Sequence, residues 1–215
     1  MKISVLGCGR WGTFLAYYVS KKYDCMLWGR QGSKHLQVLK ETGKNEYLTL
    51  NKNIVLTDDL SQALESDIII ISILSQELNS LISEIVKHNI ENKKFVLCMK
   101  GIDSLTGKRL TEIAIDGGID KNSLAIWIGP GHVQNFVNNI PNCMLIDAYD
   151  VKLAKELVDV FSTDLIRFYI GTDIIGAEIG AAAKNVLGIA AGMLDGLGLS
   201  CLKGALMARG TREVS

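Results

Sequence analysis

The sequence has little proline, few histidines and no closely spaced cysteines. Its two prolines leave no proline-rich linker, and no repeat or low-complexity segment is visible. The three histidines and five cysteines are scattered, without a CxxC pair, which argues against a zinc site and against a disulfide framework. We therefore expect no metal ion and a reducing, cytoplasmic location. The cysteines are Cys8, Cys25, Cys98, Cys143 and Cys201.

The chain also lacks an excess of charge and a clean membrane segment. Its 23 basic residues balance 23 acidic ones, which argues against a nucleic-acid partner. The N-terminus begins with a strand-like run and has no signal-peptide pattern. Residues 174–199 are apolar enough to resemble a membrane helix, but Glu178, Lys184, Asn185 and Asp195 interrupt them, and charges at bilayer depth are costly. We expect no membrane span.

Short apolar runs alternate with amphipathic ones, as in an α/β protein with a doubly wound parallel sheet. Several of these runs are apolar at every position, which is typical of strands buried on both faces. The predicted strands are Lys2–Leu6, Cys25–Trp28, Asn53–Leu56, Ile68–Ile73, Phe95–Met99, Leu124–Ile128, Met144–Asp147 and Leu165–Ile170. The predicted helices between them are Gly12–Lys22, Ser33–Lys40, Leu60–Leu64, Gln76–His88, Arg109–Ile115 and Val151–Phe161.

The composition changes after Gly171, where Ala, Gly and Ile dominate. We predict a long buried helix within Thr172–Gly198, capped by Thr172 or Asp173, and a second helix over Leu202–Val214. Two helices cannot bury so apolar a stripe. The predicted organisation is therefore a Rossmann-like domain over residues 1–170, followed by part of an all-helical domain over residues 171–215.

A glycine-rich motif follows the first predicted strand. Residues 7–12 read GCGRWG, a GxGxxG sequence between a strand and a helix. Gly7 permits a tight turn, Gly9 lets the backbone approach a pyrophosphate, and Gly12 allows close packing of helix and strand. The N-terminus of the helix offers unpaired N–H groups to the anion. The motif predicts a dinucleotide site; a glycine turn without function is the alternative.

The end of the second strand lacks the acid that commonly binds the ribose 2′-hydroxyl of NAD. The chain reads LWGRQ there, and Arg30 can pair with a 2′-phosphate. This favours NADPH over NADH, unless Arg30 is a solvated loop residue.

Two further polar positions follow predicted strands, at the edge where open α/β sheets bind ligands. Lys100 follows the fifth strand and is either an anion ligand or a surface lysine. A Gly-Pro-Gly turn at 129–131 exposes N–H groups, and His132 beside it is either an acid–base group or a solvated side chain.

Lys184 and Asn185 lie in an otherwise small and apolar helix, within GAAAKNVLGI. Burial of the ammonium would lower its pKa toward a value suited to proton transfer. Glu178, six residues earlier, is not at the i,i+4 position that would neutralise Lys184. The alternative is a lysine that extends to the helix surface.

Together these segments resemble the NAD(P)-dependent glycerol-3-phosphate dehydrogenase family. The resemblance rests on GCGRWGTFLA, LWGR, CMKGID, the Gly-Pro turn, GAAAKNVLGIAAGMLDGLGL and KGALMARGTREV, in the family's order along essentially the whole chain. It implies reversible reduction of dihydroxyacetone phosphate to sn-glycerol 3-phosphate by NADPH or NADH, which supplies glycerophospholipid synthesis.

The resemblance also implies residue roles. Lys184, with Asn185 and Lys100, corresponds to the catalytic groups, and Lys184 exchanges a proton with the substrate oxygen. The implied cofactor contacts are Gly7, Gly9, Arg10, Trp11, Gly12, Arg30, Lys100 and Val133. The implied substrate contacts are Lys100, Gly129, Gly131 and Lys184.

The chain departs from the family's pattern in two places. Gly131 stands where the family has Ser or Thr, and Val133-Gln134 where it has Ala followed by Glu or Lys. The family also continues beyond Ser215, with a Ser-Arg-Asn cluster that grips the substrate phosphate, so the resemblance predicts a C-terminally truncated member. One alternative is an NAD(P)-binding fragment without turnover, whose incomplete helical domain pairs with another chain. Apolar helix faces near Leu187, Met193 and Leu206 favour association or aggregation, and a homodimer is the association we expect. The other alternative is an NADPH-linked keto-acid reductase.

Overall fold

The computed structural model describes residues 1–214, and Ser215, the last residue of the predicted second domain, lies outside the described residues. The eight strands predicted from the sequence are confirmed, with bounds shifted by at most two residues. The strands are β1 (Lys2–Leu6), β2 (Asp24–Trp28), β3 (Ile54–Thr57), β4 (Ile68–Ile71), β5 (Lys94–Leu97), β6 (Leu124–Ile128), β7 (Asn142–Ala148) and β8 (Ile166–Ile170).

The helices also follow the predicted order, with one addition. The helices are α1 (Arg10–Val19), α2 (Lys34–Thr42), α3 (Leu60–Ala63), α4 (Leu78–Ile85), α5 (Leu110–Asp116), α6 (Val133–Val137), α7 (Val151–Phe161), α8 (Ile174–Gly196) and α9 (Lys203–Val214). Helix α6 was not predicted, because its five residues are too few to show a helical period. Asp173 caps α8, as one of the two predicted candidates, by accepting the backbone N–H of Gly176.

The strands form one sheet in the order β3-β2-β1-β4-β5-β6-β7-β8. From β1 the chain builds outward first on one side and then on the other, so a crevice opens between the carboxyl ends of β1 and β4. All four isoleucines of β4 are fully buried, because helices cover both faces of the sheet. The Rossmann-like fold predicted from the alternating pattern is confirmed.

The sheet is not parallel throughout, which corrects the expectation of a purely parallel sheet. Strand β7 runs antiparallel to β6, and β8 runs parallel to β7. The connection between β6 and β7 contains only the short helix α6, so the chain turns back instead of crossing the sheet. The longer α7 then provides a regular crossover from β7 to β8.

The prediction of a buried helix after Thr172 is wrong for most of its length. The buried residues of α8 are Ile174, Glu178 and Ala181, all in its N-terminal part, which lies against the sheet. Beyond them α8 extends past the sheet and packs against the 3-10 turn Ser200–Leu202 and against α9, where the buried Gly210 contacts Leu187. Met193 is exposed, as predicted, whereas Leu187 and Leu206 are half-buried.

Within the described residues, α8 is the single helix long and apolar enough to cross a membrane. Length and composition are weak evidence, because core helices of soluble proteins pass the same test. The mean hydropathy of its most apolar window is 1.4.

Candidate functional site

The glycine-rich loop closes tightly against β4 and α1. Gly7 has a φ of +118°, and a Cβ there would overlap the carbonyl of Ser72, so only glycine fits. A Cβ on Gly12 would overlap the carbonyl of Gly7. A Cβ on Gly9 would have nothing within 4 Å, since this residue faces open space at the start of α1. The loop therefore leaves an open cradle in front of the N-terminus of a ten-residue helix.

A cavity of about 990 Å³ lies at the crevice between β1 and β4. Its volume is at the upper end of the range for small-molecule and cofactor sites. The sequence-predicted residues that line it are Gly7, Gly9, Arg10, Trp11, Arg30, Lys100, Gly131 and Val133, together with His132. The fold thus brings together residues from the glycine loop, from the ends of β2 and β5 and from the turn after β6.

Four sequence-predicted site residues do not line this cavity: Gly12, Gly129, Lys184 and Asn185. Gly12 packs behind the glycine loop, and a Cβ on Gly129 would press against Met144. Lys184 and Asn185 are exposed on α8, so the expectation that the Lys184 ammonium is buried is wrong. The reason is that α8 leaves the sheet before it reaches Lys184.

Lys100, which lines the cavity, has a lowered pKa. Burial lowers the pKa of the Lys100 ammonium below its usual value, and the nearby positive charge of Lys184 lowers this pKa further. Lys184 therefore lies close to Lys100 although it stands outside the cavity lining. Two ammonium groups beside the cavity suit an anion such as a phosphate.

At the opposite side of the cavity, Arg30 forms an ion pair. Its Nη1 lies 3.8 Å from Oε2 of Glu77, and both residues line the cavity. Arg30 follows β2, whereas Glu77 ends the short 3-10 turn Ser75–Glu77 after β4. This side of the crevice therefore carries a positive and a negative side chain that form an ion pair.

Helix α8 is fixed to the sheet domain by a buried carboxylate. Glu178 accepts hydrogen bonds from the backbone N–H of Thr111 at 3.0 Å, from the Thr111 hydroxyl and from the Arg109 guanidinium at 2.8 Å. Glu178 is 6% exposed, and the Arg109 side chain is 13% exposed. Because Glu178 lies on the helix that carries Lys184, this contact fixes the N-terminal part of that helix relative to Lys100.

Other polar residues around the cavity were missed by the sequence analysis. Ser33 caps α2 through the N–H of Leu36, and its hydroxyl lies 3.2 Å from the Cys8 thiol. Ser72, Ser75 and Glu77 come directly after the isoleucine run of β4 and line the cavity. A signal was present, since polar residues after a buried parallel strand mark the ligand edge of the sheet.

Asp195, on the same helix as Lys184, has a structural contact. Its carboxylate accepts a hydrogen bond from the Ser200 hydroxyl at 2.7 Å and pairs with the Lys203 ammonium at 2.8 Å. It thereby fixes the connection between α8 and α9. Over residues 1–214, no cluster of three or more His, Cys, Asp or Glu side chains could hold a metal ion.

Two family models match the chain. The model described as NAD-dependent glycerol-3-phosphate dehydrogenase N-terminus matches residues 2–154, and the corresponding C-terminus model matches residues 173–215. The predicted domain boundary after residue 170 falls between the two matches.

Curated proteins named glycerol-3-phosphate dehydrogenase (NAD(P)+) are similar along the chain. The protein from Prosthecochloris aestuarii is 32% identical over 100% of this chain and 67% of its own length. The protein from Moorella thermoacetica is 34% identical over 99% of this chain and 65% of its own. The chain thus spans about two thirds of the length of these relatives.

Solved structures agree with this relationship. Glycerol-3-phosphate dehydrogenase from Coxiella burnetii superposes with a TM-score of 0.90 at 26% identity, covering 99% of this chain and 67% of that one. The enzyme from Plasmodium falciparum, at 23% identity, shares the fold with a TM-score of 0.88 over 100% of this chain and 64% of that one. The chain therefore belongs to the NAD-dependent glycerol-3-phosphate dehydrogenase family.

Proposed function

We propose that this chain binds NADH or NADPH in the cavity and takes part in the reversible reduction of dihydroxyacetone phosphate to sn-glycerol 3-phosphate. The observation that carries the proposal is the meeting of Lys100 and Lys184 beside the cavity that the glycine loop forms. Family membership supplies the substrate, since the relatives are named for it.

The residues around the glycine loop fit a dinucleotide. Gly9 faces open space in front of the α1 N-terminus, where unpaired N–H groups and the helix dipole favour a pyrophosphate. Arg10, Trp11 and Val133 would hold the cofactor from the same side, and Arg30 would hold it from the end of β2. When bound, the nicotinamide supplies the hydride.

The chain's own residues then supply charge and a proton. Reduction of the ketone develops negative charge on its oxygen, and the Lys184 ammonium donates a proton from Nζ to that oxygen. The Lys100 ammonium holds the substrate by its charge, Asn185 orients the substrate oxygens through its amide, and N–H groups at Gly129 and Gly131 contribute further donors.

Cofactor binding without turnover is the second candidate. It is favoured by the exposure of Lys184 and Asn185 and of the apolar residues that follow them on α8, among them Val186 and Ile189 at 68% and 67%. A substrate pocket needs cover on that side to exclude water. The same uncovered face supports the proposal that two chains associate as a homodimer.

A keto-acid reductase is the third candidate, and the family match favours the phosphate substrate over it. We also propose a cytoplasmic location and a supply of glycerol phosphate to glycerophospholipid synthesis. The location is supported by the five cysteines, all in the described part of the chain, which are free.

The test is nicotinamide oxidation on mixing the purified chain with NADPH or NADH and dihydroxyacetone phosphate, with cofactor binding followed in parallel. Turnover with dihydroxyacetone phosphate, and none with 2-keto acids, would support the dehydrogenase. Binding without turnover would support the second candidate. Absence of binding by either nucleotide would overturn both.

A further inference from the structure

Arg30 occupies the place from which Rossmann domains read the adenosine ribose. It stands two residues after the last residue of β2, where an acid commonly accepts the ribose 2′-hydroxyl of NAD and an arginine accommodates the 2′-phosphate of NADP. By itself, the positive charge of Arg30 favours NADPH. In the folded chain, however, Arg30 has an acidic residue beside it.

Glu77 brings a negative charge to the same place from the turn after β4, on the far side of β1. Its Oε2 lies 3.8 Å from Nη1 of Arg30, and both side chains border the cavity. The other carboxylate on this wall, that of Glu84, lies 2.7 Å from the Lys87 ammonium. Glu77 is therefore the acid that faces Arg30.

We propose that Glu77 is a cofactor-specificity residue that disfavours the 2′-phosphate of NADPH, so that the chain prefers NADH. The proposal rests on the proposed binding of a nicotinamide dinucleotide. Glu77 acts in two ways, because it occupies the guanidinium that would pair with the phosphate and it repels the phosphate's own charge. NADH lacks this phosphate and is not penalised.

The expected size of the effect follows from the exposure of both side chains. Arg30 and Glu77 are 77% and 54% exposed, so their interaction with the phosphate acts through nearly aqueous dielectric and is screened by salt. For a phosphate of charge about −2 at about 6 Å from one carboxylate, the repulsion then weakens the affinity for NADPH by about threefold to tenfold. The effect weakens as the salt concentration rises.

The experiment compares dissociation constants for NADH and NADPH in the full chain. Trp11 and Trp28 line the cavity, so intrinsic fluorescence reports binding without turnover. In Glu77→Gln we expect the ratio Kd(NADPH)/Kd(NADH) to fall about threefold to tenfold. Glu156→Gln is the matched control, because Glu156 is 47% exposed and ion-paired with Lys94 outside the cavity, and its ratio should equal that of the wild type.

The outcomes separate the inference from the proposed function. A wild-type chain that binds NADPH more tightly than NADH, or an unchanged ratio in Glu77→Gln with both nucleotides bound, would overturn the specificity role alone. A chain that binds neither nucleotide would overturn nucleotide binding, and the specificity role with it. Equal shifts in Glu77→Gln and Glu156→Gln would assign the effect to net charge and overturn the role of Glu77.

Discussion

Replacing Glu178 by alanine removes the buried carboxylate that fixes α8 to the sheet domain. The variant removes the carboxylate that accepts from the Thr111 N–H and hydroxyl. It leaves the Arg109 guanidinium, at 13% exposure, with the Thr111 hydroxyl at 3.0 Å and the half-exposed Glu112 at 3.1 Å. Breaking a buried ion pair from one side costs about 3–5 kcal/mol in stability. Because Arg109 keeps Glu112, we expect the lower end of that range, about 3 kcal/mol.

The same figure can be expressed as a melting temperature. Unfolding entropies of globular chains are about 2.1 cal/mol/K per residue, so for 215 residues a loss of about 3 kcal/mol lowers Tm by about 7 °C. Glu178→Gln keeps the shape and part of the hydrogen bonding, and we expect it to lie between the wild type and Glu178→Ala. Urea unfolding and thermal unfolding, both followed by circular dichroism, give the free energy of unfolding and the Tm of both variants.

Asp116→Asn is the matched control for this prediction. Asp116 pairs with the Lys108 ammonium at 2.6 Å, but its side chain is 56% exposed, so its removal should cost less than about 1 kcal/mol. Hydrogen exchange gives a second readout, since in Glu178→Ala the amides at the start of α8 should lose protection before those of the sheet. A Glu178→Ala chain as stable as the Asp116→Asn chain would refute this account of how α8 is held.

Three further predictions concern the site. Gly9→Val should abolish binding of both nucleotides, because the valine side chain enters the open cradle. The free energy of unfolding should stay within about 1 kcal/mol of the wild type, because the φ of −73° at this position suits any residue. Isothermal titration measures the affinity and urea unfolding the stability, and retained affinity would contradict the prediction. If the chain turns over, Lys184→Ala should lower kcat at least about 100-fold with little change in nucleotide affinity, whereas Lys155→Ala on the exposed face of α7 should change neither. Lys100, whose pKa is lowered, has more neutral amine at a given pH than an ordinary lysine, so it should be acetylated faster at mildly alkaline pH. Lys184→Ala removes a nearby positive charge and raises the pKa of Lys100, so it should slow the acetylation of Lys100 measured by peptide mass spectrometry. An unchanged acetylation rate would show that the two lysines do not interact.

Local patterns in the sequence predicted most of the fold. The isoleucines of β4 identify a strand buried on both faces, and the GxGxxG after β1 identifies the turn into α1. These features depend on neighbours within a few residues, which a sequence displays directly. The alternation of strands and helices then predicts a doubly wound parallel sheet, whose strand carboxyl ends form the ligand edge.

Long-range placement decided the rest. The reversal at β7 depends on how a short connection packs, and the exposure of Lys184 depends on where α8 leaves the sheet, so neither appears in local periodicity. The pairing of Arg30 with Glu77 and the anchoring of Glu178 by Thr111 join residues far apart in the chain. The sequence by itself determined which residue types stand at strand and helix ends, whereas only the tertiary structure decided which charges face one another, because electrostatic contacts depend on distance in space and not on distance along the chain.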